Sequence, residues 1–146
     1  MVVVGLDGSR NASRVVAHLA RWSGRGRATV LSIVEPFRLP SLGLAPAAVR
    51  AALHQAARTE LAARMRRARR EVQVAALRLR RAGWIAAPAV RLGVPLPELL
   101  ATVRRERATL LALGARGSGG PARRLLLGSV ADGALKRAGV PVLIVK

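Results

Sequence analysis

Met1 to Leu6 reads MVVVGL, a run with no polar side chain and three successive valines. A strand built from it has no face to offer water. It must be covered on both sides, which is the situation of a strand inside a parallel sheet. Ala28–Val34 (ATVLSIV), Thr109–Leu113 (TLLAL) and Val140–Val145 (VPVLIV) read as further strands. A further run, Trp84–Arg91, contains Pro88. Proline has no N–H to give to a ladder, so that strand is expected to be imperfect or to lie at an edge.

Between the runs the spacing is helical. After Asp7-Gly8-Ser9, with Ser9, Asn11 or Ser13 as the cap, Val15, Val16, Leu19, Ala20 and Trp22-Ser23 predict a helix that Gly24 ends. Phe37–Ala45, with Pro40, Ser41 and Gly43, reads as a loop. From Pro46 to Ala82 no glycine or proline follows the first residue, and Val49, Leu53, Ala57, Leu61, Met65, Ala68, Val72, Ala76 and Leu79 form one apolar stripe. Unbroken, such a helix runs on the order of 50 Å at about 1.5 Å per residue, so a bend or an early end is expected. Gly93-Val94-Pro95 opens a helix from Pro95 to about Arg107, and a last one spans Gly128–Arg137 with Gly139 as its C′ residue. The alternation is β-α-β-α-β-α-β-α-β. It predicts one α/β domain over residues 1–146, an open five-stranded parallel sheet with helices on both faces. Ligands in such sheets bind beyond the strand C-termini where the winding reverses. Asp7, Ile33 and Gly114 each sit at or near such an end.

Composition narrows the chemistry. There is no cysteine, and the two histidines, His18 and His54, are in no ligand spacing, which excludes a disulfide framework, thiol catalysis and an ordinary zinc site. No run of about 18 or more apolar residues exists to span a bilayer. The start resembles no secretory leader, so a cytoplasmic protein is expected. Net charge is +19, nearly all of it arginine. A field of that size attracts polyanions, nucleic acid included. The basic residues are nevertheless scattered along the chain, and Arg66-Arg67 and Arg69-Arg70 wrap around their helix without forming one seam, as on a solvated face.

The stretch GARGSGGPARRLLLGS, Gly114 to Ser129, lies between the fourth strand and the last helix. Strand, glycine-rich loop and helix can cradle an anion, because glycine lets backbone N–H groups approach a phosphate and the helix N-terminus favours negative charge. The alternative is a plain left-handed turn with an N-cap serine. Gly114, two residues, Gly117, a spacer and then Gly128-Ser129 resembles the nucleotide-binding signature of the universal stress protein family. Here the spacer Ser118–Leu127 has ten residues, one more than is usual in that family, and includes Pro121. The resemblance extends over nearly the whole chain, through the opening strand-DGS-helix, Gly93-Val94-Pro95 and the closing strand.

That resemblance implies a Rossmann-like, adenine nucleotide alpha hydrolase-like fold binding ATP, or AMP or ADP, with or without Mg²⁺, in stress-response regulation. It places Gly114, Gly117, Gly128 and Ser129 at the phosphates, with Val130 beside them in the nucleotide site and Arg116, Arg123 or Arg124 adding charge. It sets Asp7 and Ser9 beside the nucleoside, and main-chain atoms of Ile33 at the adenine edge. It implies a homodimer through Val140–Val145. The sequence lacks a G-x-x-x-x-G-K-[ST] loop and an evident base or nucleophile pair, which points to binding and sensing with slow hydrolysis at most. Two other readings stand beside this one: a structural or partner-binding member of the same fold that takes no nucleotide, and a basic protein that associates non-specifically with nucleic acid.

Overall fold

The computed structural model describes residues 1–22, 26–37, 46–115 and 127–146. Among these residues five strands alternate with four helices: β1 (Val2–Leu6), α1 (Arg10–Leu19), β2 (Arg27–Val34), α2 (Ala47–Arg81), β3 (Ile85–Leu92), α3 (Pro95–Arg105), β4 (Leu110–Gly114), α4 (Ser129–Arg137) and β5 (Val142–Val145). Every pairing is parallel and the strand order is β3-β2-β1-β4-β5. This is the expected α/β architecture, Rossmann-like in its winding.

β1 lies at the centre, in register with β2 (Val4 opposite Val30) and β4 (Val4 opposite Ala112). Its side chains alternate between two cores. Val2, Val4 and Leu6 pack with Ala12, Val15, Val16 and Leu19 of α1 and Val72, Ala76 and Leu79 of α2. Val3 packs with Leu99 and Val103 of α3 and Ala134 of α4. One helix pair therefore covers each face, as the unbroken apolar run demands.

The helix ends differ from expectation in instructive ways. α1 starts where Ser9 accepts the Ala12 N–H at 3.2 Å, an N-cap worth about 1 kcal/mol. It stops at Leu19, short of Trp22-Ser23. The Arg21 and Trp22 N–H groups donate to the His18 and Leu19 carbonyls in the tighter i to i+3 pattern that closes a helix. Gly24 lies outside the described residues, as does 38–45 of the Phe37–Ala45 loop. α3 ends at Arg105, with Glu106 as its C-cap. α4 begins at Ser129, with Gly128 in place of a serine as its N-cap. Gly139 is the C′ residue, at φ +65°.

α2 does not end early: it is helical through all 35 residues. Alanine-rich sequence free of glycine and proline supplies no breaker, and Glu60–Arg64 and Arg67–Glu71 pairs at 2.8 Å staple its middle. Yet its buried residues are Ala68, Val72, Ala75, Ala76 and Leu79 only. The apolar stripe is continuous, but only its C-terminal half meets the sheet, and Val49 and Leu53 remain exposed. That half is pinned at its end by Trp84, which is buried and gives its indole N–H to the Leu19 carbonyl at 3.2 Å, tying the exit of α2 to the exit of α1. β3 accordingly starts at Ile85, one residue after the tryptophan. It forms one edge of the sheet, where Pro88 is tolerated. β5 forms the other edge, is half-buried, and spans Val142–Val145, two residues shorter than Val140–Val145.

Leu79→Ala is expected to cost about 2–5 kcal/mol in urea unfolding, because it opens a cavity at a fully buried position. Leu53→Ala, on the same stripe, is expected to change stability by less than about 0.5 kcal/mol.

Candidate functional site

The chain winds outward from β1 to β2 and β3, then returns to the other side of β1 to lay down β4 and β5. The helices that follow β1 and β4 thus depart to opposite faces, and a crevice opens beyond the C-terminal ends of these neighbouring strands. A cleft of about 620 Å³ occupies that place, within the range of about 300–1,000 Å³ usual for small-molecule sites. β1 and its turn contribute Gly5, Leu6 and Asp7; the end of β2 contributes Ser32, Ile33, Val34 and Glu35. Gly114, Gly128, Ser129 and Val130 form the wall at β4 and α4.

Of the nine site residues read from the sequence, Asp7, Ile33, Gly114, Gly128, Ser129 and Val130 come together on this cleft. Arg116 and Gly117, with most of the spacer, lie outside the described residues. Ser9 is not among the described lining residues; its hydroxyl caps α1.

The β1–α1 turn is fixed locally. An Asp7 carboxylate oxygen accepts the Ser9 N–H at 3.0 Å, the side chain mimicking a backbone turn. Gly8 between them has φ +77°, and a Cβ there would stand 3.0 and 3.1 Å from the carboxylate oxygens of Glu71 on α2. The positive φ favours glycine at this position, and the missing side chain leaves room for the Glu71 carboxylate. The turn therefore holds Asp7 at the cleft while α2 closes over it.

Both glycines of the β4–α4 wall are engaged inside the protein, Gly114 by packing and Gly128 through its backbone. A Cβ on Gly114 would lie 2.9 Å from the Asn11 Cβ and 3.1 Å from the Ala12 nitrogen, so its bareness lets α1 approach β4. Gly128 spends its N–H on the Ala115 carbonyl at 2.9 Å, and its carbonyl accepts the Asp132 N–H at 2.9 Å. The anion-seeking groups are thus one step further on. Among the described residues α4 has no side-chain cap, and the N–H groups of Ser129, Val130 and Ala131, in its first turn, have no partner within the helix.

Sequence reasoning missed one wall altogether. Arg64, Arg67, Ala68 and Glu71 line the cleft from α2, spaced i, i+3, i+4 and i+7 on one helix face. Glu35, just past the end of β2, also lines the cleft. The i+3/i+4 spacing was visible, but nothing in it marks which face of a long helix looks over the strand ends. Three of the chain's seven acids, Asp7, Glu35 and Glu71, therefore border the cleft. Among the described residues no group of three or more His, Cys, Asp or Glu is placed to hold a metal ion, and no helix is long and apolar enough to cross a membrane.

The sequence profile of the universal stress protein family matches residues 1–146. Universal stress protein MJ0531 of Methanocaldococcus jannaschii is 43% identical over 54 residues, a stretch that covers 37% of this chain and 31% of that relative's length. The fold is similar to that of the hypothetical protein MJ0577, with a TM-score of 0.81 at 17% identity, covering 99% of this chain and 94% of the other. It is similar also to a universal stress protein family protein from Arabidopsis thaliana with AMP bound, with a TM-score of 0.65 at 16% identity, covering 99% and 89%. At such identities the structural likeness speaks for the fold alone. The profile match runs over every residue, and by it this chain belongs to the universal stress protein family.

Proposed function

We propose that the cleft binds an adenine nucleotide, AMP or ATP, and that the chain acts as a binding and sensing module of stress-response regulation. The observation that carries this reading is convergence. The N-terminus of α4, the Asp7 carboxylate and the end of β2 at Ile33 all border one cleft at the point where the winding reverses. A phosphate seated at α4 would accept the N–H groups of Ser129, Val130 and Ala131 and the Ser129 hydroxyl, with the helix dipole favouring its charge. Asp7 would accept from a ribose hydroxyl, and the β2 backbone near Ile33 would read the adenine edge. AMP bound in a neighbour of the same fold supports the ligand class. Mg²⁺, if it accompanies ATP, would arrive on the phosphates.

A second reading, a member of the fold that binds partners and no nucleotide, also has specific support. The glycine at position 114 is explained by the close approach of α1, without any ligand, and the Gly128 N–H is already taken by the Ala115 carbonyl. We further propose a homodimer through β5. The strand is half-buried at the sheet edge, and its N–H and C=O groups on the outer side are a template for a second chain. Sedimentation at micromolar concentration is expected to give a dimer; a monomer would contradict this pairing.

Gly128→Val tests the phosphate seat. The backbone there has φ −64° and ψ 153°, which any residue adopts, so the fold is expected to persist. In calorimetric titration with AMP, one site per chain is expected for the wild type, and at least a tenfold weaker affinity for the variant with an unchanged urea midpoint. Equal affinity in the variant would move the phosphates elsewhere.

A further inference from the structure

The arginines that look scattered in the sequence are gathered by the fold. α1 and α2 are separated by 27 residues but lie side by side on one face of the sheet, sharing one core. α1 with Arg21 just beyond it, together with α2, carries thirteen arginines against two glutamates, a net charge of +11. The helices of the opposite face, α3 with Arg107 just beyond it and α4, carry five basic residues against three acids, a net charge of +2. All thirteen arginines of the first layer are exposed. Its two acids, Glu60 and Glu71, pair with Arg64 and Arg67 on the side that borders the cleft, leaving the outward side to arginine.

The outward side is ordered as well. Arg10, Arg14 and Arg21, with His18 between them, recur at i, i+4 and i+11 opposite the buried Val15, Val16 and Leu19 of α1. Arg66, Arg70 and Arg81 recur opposite the buried Ala68, Ala75 and Leu79 of α2. Successive arginines four apart stand about 6 Å apart along a helix, and packed helices lie about 8–10 Å apart. The result is two neighbouring cationic rows on one broad face.

We propose that this face binds the phosphate backbone of duplex nucleic acid, without sequence preference. Guanidinium groups suit phosphate oxygens, which they can meet with two parallel hydrogen bonds. Single strands are held by bases stacking on aromatic side chains, and aromatic residues are 2% of this chain. A membrane surface requires an apolar helix face to bury among the headgroups. Here the apolar sides of α1 and of the C-terminal half of α2 are already spent on the sheet, the exposed Val74 and Leu77 stand among Arg70, Arg78 and Arg81, and the exposed Val49 and Leu53 lie more than a dozen residues before Arg66, outside the arginine rows. This inference does not depend on nucleotide binding in the cleft.

The test compares two variants that each lose three charges. One carries Arg14→Gln, Arg66→Gln and Arg70→Gln; the other carries Arg104→Gln, Arg107→Gln and Arg137→Gln on the opposite layer. Binding of each to a labelled mixed-sequence duplex is followed by fluorescence anisotropy over a range of salt. The slope of log K against log salt is expected to fall by close to 3 in the first variant, at about 0.9 per lost phosphate contact, and affinity at low salt by at least about tenfold. The second variant is expected to change the slope by less than about 1. Equal losses in both would mean that net charge alone attracts the duplex, and would overturn the proposal. So would absence of duplex binding by the wild type at low salt, or tighter binding to phosphatidylserine vesicles with the same dependence on Arg14, Arg66 and Arg70.

Discussion

Everything in this molecule follows from a central strand that cannot tolerate water on either face. Val3 and Val4 are adjacent in sequence, point to opposite sides of the sheet, and are both fully buried. Two layers of helix must therefore exist, and the chain has to pass from one to the other. It does so by reversing its winding beside β1, and the reversal is what opens the cleft. The site is in this sense a by-product of burial: Asp7 and Gly114 reach it because they terminate the strands on either side of the reversal. Glycine at positions 8 and 114 then serves the closeness of the layers, letting Glu71 and α1 come up against the turn and β4.

Much of this was legible in the sequence, for physical reasons. Strands covered on both faces are continuous apolar runs, and these stand out at any position; Pro88 even identifies an edge strand. Strand ends are equally legible, so Asp7, Ile33, Gly114 and the start of α4 could be named from spacing. What was not legible depends on how far one element reaches past another. The stripe of α2 repeats from Val49 to Leu79, but periodicity does not say that the sheet runs out beneath its first half. For the same reason the cleft wall made by Arg64, Arg67 and Glu71 had no signature. Caps were less legible than cores: Ser9, Asn11 and Ser13 all suit the start of α1 and Ser9 is the one that caps it, while at α4 the N-cap is Gly128 and Ser129 follows it.

The charge divides along the same lines. A chain of +19 would flood any pocket with anions if its arginines lay there, yet three of its seven acids border the cleft, and the arginines on the described cleft wall, Arg64 and Arg67, are each paired with a glutamate. In the proposed account, recognition in the cleft would fall to directed N–H groups and shape, which salt screens poorly, whereas the arginine face of α1 and α2 would act through a field that salt screens well. The two helix layers keep these surfaces apart: one is concave, the other is broad and cationic.

Backbone amide shift mapping with AMP tests the central claim most directly. If the winding reversal makes the binding site, the perturbed amides will be those of Ser129, Val130 and Ala131 at the start of α4, Asp7 and Gly8 in the first turn, and Ile33 and Val34 at the end of β2, and they will persist at moderate salt. Shifts spread over the arginine rows of α1 and α2, fading together as salt rises, would contradict the account and leave the cleft without a nucleotide.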